Sequence, residues 1–209
     1  MVSLFALVLF TAPVQSPKIL GRVWAIDPCT IDGVPYAQHQ MPREVPTGLG
    51  GKPVETFGGS ARLKLENASG SQIGSIVLVG RTKIDFKKNS LLFPLGFTLN
   101  RGTIDCESDP DDCQISVNAG SCTVTTTGTH FLLECIPDRK RDDPIYNVVH
   151  VEVYDGTVSV TPYQSQPVSV TANAKGTVGP RTGGGIGFNS GNLSSKEKQD
   201  HKGGPAHIR

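Results

Sequence analysis

The sequence is poor in helical periodicity, poor in aromatic residues and has no excess of either charge. Aromatics make up only 6% of the 209 residues. Basic residues number 20 and acidic residues 19. That balance supplies no basic stripe to neutralise a phosphate backbone, which excludes nucleic acid as a partner. No apolar run reaches the roughly 20 residues that a membrane-crossing helix needs. The cysteines never come as a close C-x₂₋₄-C pair, so a zinc knuckle is disfavoured. No strand is expected before the Gly-rich RTGGGIG at 181–187, and no Lys-Ser/Thr follows it, so it does not read as a phosphate loop. No cofactor is expected.

Two-residue alternation, glycine and proline are what the chain does have. The 24 glycines and 15 prolines favour short elements joined by many turns. In SARLKLEN, Ala61, Leu63 and Leu65 face one way while Arg62, Lys64 and Glu66 face the other, the pattern of a half-buried strand. In NVVHVEVYDGTVSVTP, Val149, Val151 and Val153 alternate with His150, Glu152 and Tyr154. Asp155-Gly156 then predicts a hairpin turn, with Val158 and Val160 continuing the inward face. Asp32-Gly33 in CTIDGVPYA predicts a second hairpin. SIVLVG is apolar on both faces and predicts a central strand, and Val168, Val170 and Ala172 repeat the alternation. About a dozen short strands are therefore expected between Ile19 and Val178. The expected class is all-β: a single domain of many short, mostly antiparallel strands, as a β-sandwich, a roll or a solenoid-like stack. No repeat period is visible.

Both ends differ in character. The apolar run Val2–Phe10 within MVSLFALVLFTAPVQS is too short to span a bilayer and suits the h-region of an export signal. Residues 1–16 are expected to be a signal peptide, 17–179 the β-domain and 180–209 a disordered Gly/Lys-rich tail that is too polar to offset the cost of ordering. Export implies a periplasmic or secreted protein, with no membrane span once the signal is removed. It also implies an oxidising compartment for Cys29, Cys106, Cys113, Cys122 and Cys135. Cys106 and Cys113 flank the turn-forming ESDPDD, while Cys122 and Cys135 flank TVTTTGTHFLLE. Those four are the disulfide candidates, 106–113 with 122–135 being one of the possible connectivities, and Cys29 is left over. Within the second segment, CTVTTT and THFLLEC read as strands, and Gly128 between them marks a backbone bend or a close approach.

The ordered series GRVWAIDPCTIDGVPYA, KPVETFGGSARLKLENASGSQI, TKIDF, FTLNRGTIDC, VTTTGTHFLLE and VHVEVYDGTVSV resembles the FecR-like family of extracytoplasmic β-domains over most of residues 20–178. The four cysteines from 106 to 135 and the charged insertion DRKRDDP (138–144) are not part of that pattern. The resemblance does not extend to the sigma-factor-binding segment and membrane span that precede the domain in iron-uptake regulators. It implies an exported module that binds or senses something, and it brings no catalytic residues.

Single residues weigh less. The acidic run Asp105, Glu107, Asp109, Asp111 and Asp112 has no EF-hand spacing and reads as a solvated turn rather than a Ca²⁺ site. Of the histidines in the β-region, His39, His130 and His150, the last falls on an outward strand position; acid–base chemistry would need one of them to meet a carboxylate in a cleft. Asn67-Ala-Ser and Asn192-Leu-Ser are glycosylation sequons. The function expected is that of a non-enzymatic, exported FecR-like β-domain binding or sensing a protein or glycan partner at the cell envelope. The alternative is a structural envelope or assembly protein whose β-domain is a scaffold. Oligomeric state is not encoded legibly.

Overall fold

Alternating burial runs through nearly every strand of the computed structural model, which describes residues 20–36, 43–45, 52–86, 95–109, 113–181 and 185–195. The described residues form sixteen strands and one 3₁₀ turn. The N-terminal strands are β1 (Leu20–Ala25), β2 (Cys29–Ile31), β3 (Val34–Tyr36), β4 (Arg43–Glu44), β5 (Pro53–Glu55) and β6 (Ser60–Asn67). Two long central strands follow, β7 (Gln72–Phe86) and β8 (Leu95–Ser108). The C-terminal strands are β9 (Gln114–Asn118), β10 (Cys122–Thr127), β11 (His130–Ile136), β12 (Val148–Asp155), β13 (Thr157–Pro162), β14 (Val168–Thr171), β15 (Ala174–Pro180) and β16 (Ile186–Asn192). All pairings are antiparallel except β8 with β9.

The two long strands turn a corner and thereby divide the sheet into two layers. The first arm of β8 pairs with β9 through Leu95↔Ile115 and Thr98↔Asn118, and its second arm pairs with β11 through Gly102↔Cys135 and Cys106↔Phe131. β7 follows the same bend, pairing with β6 before it and β5 after it, with register shifts between Val79 and Ile84. One layer then reads β3-β2-β5-β7-β8-β9-β10-β13-β14. The other reads β4-β1-β6-β7-β8-β11-β12-β15-β16. β14 lies against β12 and β15, and β13 against β16, so the outer ends of the two layers meet as well. A single apolar core fills the space between, from Ala25 to Val178, with Phe97 and Phe131 its largest fully buried side chains.

The corner is a place where ladder hydrogen bonds fail, and two threonines take them over. Gly102 adopts φ +88°, and the inward face of β8 changes from odd positions (Leu95, Phe97, Leu99) to even ones (Ile104, Cys106, Ser108) across it. The fully buried Thr82 Oγ1 accepts the Thr103 N–H at 2.9 Å and donates to carbonyl oxygen. Thr56 Oγ1 donates to Gly80 O at 2.6 Å and accepts the Thr82 N–H at 3.1 Å. Buried backbone groups left unpaired would each cost about 1–3 kcal/mol, so these hydroxyls make the bend tolerable.

Two expectations need correction. Asp155-Gly156 does not close a hairpin. β12 pairs with β11 and β15, whereas β13 pairs with β10 and β14, so the turn carries the chain from one layer to the other. Positive φ at Gly156 (+77°) serves a crossing as well as it serves a hairpin, and local sequence does not separate the two. Gly128 (φ +61°) makes a similar crossing between β10 and β11, with Thr126 and Thr129 buried and hydroxyl-bonded to each other beneath it. Finally, the sheet continues beyond residue 180. β16 lies within the segment expected to be a disordered tail, pairing with β15 from Ala174↔Asn192 to Pro180↔Ile186. Phe188, packed against the core, supplies the apolar contact that the segment's average composition conceals. Asp32-Gly33, by contrast, closes the expected two-residue hairpin, with both residues at positive φ and Ile31 opposite Val34. SIVLVG lies centrally between β6 and β8. The expected signal segment 1–16 lies outside the described residues, as do His39, Asp111, Asp112 and residues 196–209.

Candidate functional site

The two outer faces of the sandwich differ in chemistry, and the difference follows from strand parity. On the β9–β10–β13–β14 side, the outward positions hold Ser116, Thr125, Ser159 and Ser169 in one cross-strand row, with Asn118, Thr123 and Thr161 in the next. That face carries hydroxyls and amides and no charge. On the β8–β11–β12–β15 side, the register aligns Arg62, Val77, Asp105, Leu132, Glu152 and Lys175 across six strands. A neighbouring row runs Val79, Thr103, Glu134, His150 and Thr177. Acidic groups thus hold the centre around Leu132, flanked by Arg62 and Lys64 on β6 and by Lys175 on β15. This second face is the candidate site.

His130 makes several contacts on this face. Nε2 lies 2.9 Å from Asp105 Oδ1, with the two side chains 29% and 17% exposed. The Tyr154 ring packs on the imidazole, centroids 5.1 Å apart and tilted by 56°, and the Tyr154 hydroxyl donates to Glu152 Oε2 at 2.7 Å. The hydrogen bond to Asp105 raises the His130 pKa above its ordinary value, against the opposing effect of burial; Asp105, Glu107 and Asp155 add charge in the same upward direction. His150 Nδ1 lies 2.9 Å from Thr177 Oγ1. At one margin of the face is an open groove of about 470 Å³, floored by Gly179 and Gly187 and walled by Thr177, Arg181 and Asn189. At the other is a smaller hollow of about 290 Å³ beside Glu107 and Asp109.

The sequence-predicted residues divide as follows. His130 does meet a carboxylate, on the strand face. Of the acidic run, Asp105 and Glu107 point out from β8, and Asp109 donates its N–H to Ile73 O at 2.9 Å. No cluster of three or more His, Cys, Asp or Glu side chains able to hold a metal occurs among the described residues. Asn67 ends β6, its Oδ1 accepting the Ser69 and Ser71 N–H groups at 3.0 Å, and Asn192 ends β16. Cys106, Cys113, Cys122 and Cys135 are all buried, and no disulfide joins any of the five cysteines. In neither candidate pair, 106–113 or 122–135, do the two cysteines face each other on one ladder. Within each pair one cysteine belongs to each layer. Sequence reasoning missed Tyr154 as the partner of His130, although its outward parity with His150 and Glu152 was the available signal.

No family model matches the sequence, and no curated protein matches it at a significant level. Among solved structures, the chain is similar to a protein from Parabacteroides distasonis ATCC 8503 described as a "putative anti-sigma factor", at 13% identity and a TM-score of 0.46. The alignment covers 71% of this chain and 59% of that one, a likeness short of a common fold. Among the described residues, no helix is long and apolar enough to cross a membrane.

Proposed function

We propose that this protein is an exported, FecR-like binding module that engages a protein or glycan at the cell envelope through the charged outer face of its sandwich, without catalysing a reaction. The observation that carries this reading is the cross-strand row Arg62–Val77–Asp105–Leu132–Glu152–Lys175. It sets charged side chains around the half-buried Leu132 on paired strands, a composition suited to reversible contact. An acidic centre with basic margins favours a partner whose own contact surface is basic at its middle, since complementary fields set orientation and encounter rate. The ordered series of FecR-like motifs and the signal-like start support the same reading. The half-buried His130–Asp105 pair lies on the strand face, within reach of a partner's surface.

The test is co-sedimentation of the purified domain with washed envelopes of its native host. A Glu134→Lys/Glu152→Lys variant should lose association while its far-UV circular dichroism stays that of the parent. Thr125→Lys/Ser159→Lys, on the opposite face, should retain it. Equal binding by all three proteins would refute the assignment of the face. Recovery of the full-length protein only from the cytosol would refute the export reading.

A further inference from the structure

We infer that Cys106 with Cys113, and Cys122 with Cys135, are two pre-set thiol pairs that oxidise to disulfides spanning the two layers at opposite ends of the sandwich, with Cys29 left as a thiol. Four cysteines allow three connectivities, and the strand register leaves one. Cys113 enters β9 and Cys122 enters β10. Since β9 and β10 pair with Gln114 opposite Thr127 and Asn118 opposite Thr123, these two cysteines sit at opposite ends of their hairpin. Cys106 lies opposite Phe131 and Cys135 opposite Gly102, four positions apart on one ladder and therefore about 13 Å. A disulfide needs Cα atoms within about 7 Å, so neither 113–122 nor 106–135 can close. The crossed pairing, 106–122 with 113–135, fails too, because each of its bridges would have to run the length of the sandwich.

Local contacts bring the remaining partners together. The Asp109 N–H bonds to Ile73 O at 2.9 Å and the Cys113 N–H to Asp109 O at 3.2 Å. The second bond holds Cys113 beside the end of β8, the strand in which Cys106 is buried. At the other end, Ala119 joins the second pair. Its N–H bonds to Cys122 O at 2.9 Å, and its carbonyl oxygen lies 3.7 Å from Cys135 Sγ. Asn147 Nδ2 donates to the same sulfur at 3.4 Å. Burial raises the pKa of Cys106 and of Cys122, and Asp105 with Cys113 in the first case and Cys135 in the second add to the rise. Cys29, on β2, stands three strands away from β8 in its layer.

The chemistry is thiol–disulfide exchange with a disulfide oxidant. One cysteine thiolate attacks the oxidant to form a mixed disulfide and release one thiol. Its partner then displaces the second thiol and closes the bridge, so two protein thiols lose two electrons and the oxidant gains two thiols.

The experiment refolds the full chain with reduced and oxidised glutathione, then alkylates it under denaturing conditions without a reductant and locates the label by fragment mass spectrometry. One label, at Cys29, is expected. With Cys106→Ser the label should appear at Cys113 as well as Cys29, and with Cys122→Ser at Cys135 as well as Cys29. Label on all five cysteines, or release of any other partner, overturns the inference. Should either variant fail to fold, cleavage of the unreduced wild-type protein by Glu-specific protease and elastase decides the matter. Fragments linked 106–113 and 122–135 uphold the pairing, and any other linkage overturns it. None of these outcomes bears on envelope binding.

Discussion

Replacing Gly102 by alanine isolates the corner that creates the two layers. A Cβ at this position would lie 2.3 Å from Thr82 Oγ1, 2.6 Å from Thr82 Cα and 2.7 Å from Arg81 O. Two of those three atoms are backbone and cannot swing away. The residue also holds φ +88°, a conformation that costs an L-residue roughly 1–2 kcal/mol. Overpacking adds about 1–3 kcal/mol, and displacing the Thr82 hydroxyl puts its bond to the Thr103 N–H at risk. Gly70→Ala is the matched control: φ is +83° but nothing lies within 4 Å of the added carbon. Conformational strain is common to both variants, so their difference reads the steric term alone, about 2 kcal/mol. At this chain length that corresponds to a melting point about 4–8 °C lower for Gly102→Ala than for Gly70→Ala. Urea titration followed by circular dichroism checks the free energies directly. Equal destabilisation of the two variants would show that the corner is not built on close approach at Gly102.

Other perturbations test the same structure at separate points. Phe131→Ala removes one of the two largest fully buried side chains and should cost about 3–5 kcal/mol in chemical denaturation. Thr82→Val keeps the side-chain shape but leaves the Thr103 N–H without its acceptor, for an expected loss of about 1–3 kcal/mol. Because Asp105 raises the His130 pKa in the fold, the pair's contribution to stability is complete below the ordinary histidine value near 6.5 and is lost as pH rises through the elevated folded value. Asp105→Asn should flatten that part of the stability–pH curve and lower the His130 midpoint read by NMR. An unchanged midpoint would show that the pair does not form.

Strand character was legible wherever one face is buried, because a two-residue period survives any tertiary arrangement. SARLKLEN and VVHVEVYD read correctly for that reason, as did Asp32-Gly33, whose hairpin closes within two residues. What stayed hidden was the destination of each strand. Asp155-Gly156 has the composition of a hairpin turn, yet it hands the chain to the other layer, and that choice depends on which strands already occupy the neighbouring edges. The tail boundary was misplaced for a related reason. Ile186 and Phe188 are diluted by glycine and serine in any averaging window, and only docking against β15 reveals them as strand residues. For the candidate site, outward positions such as His150 and Glu152 could be read from parity. The meeting of His130 with Asp105 required the pairing of β8 with β11, across 25 residues that include the layer crossing at Gly128.

From β9 onward the hairpins are dealt out by turns: β9–β10 to one layer, β11–β12 to the other, β13–β14 back again and β15–β16 across once more. Neither slab can be completed while its counterpart is still missing, since every second hairpin belongs to the opposite slab. A nascent chain halted midway would hold two incomplete slabs with apolar inner surfaces open to water, a species prone to self-association. Assembly is thereby compressed into one late, concerted closure, in which the β15–β16 hairpin has as much say as β9–β10.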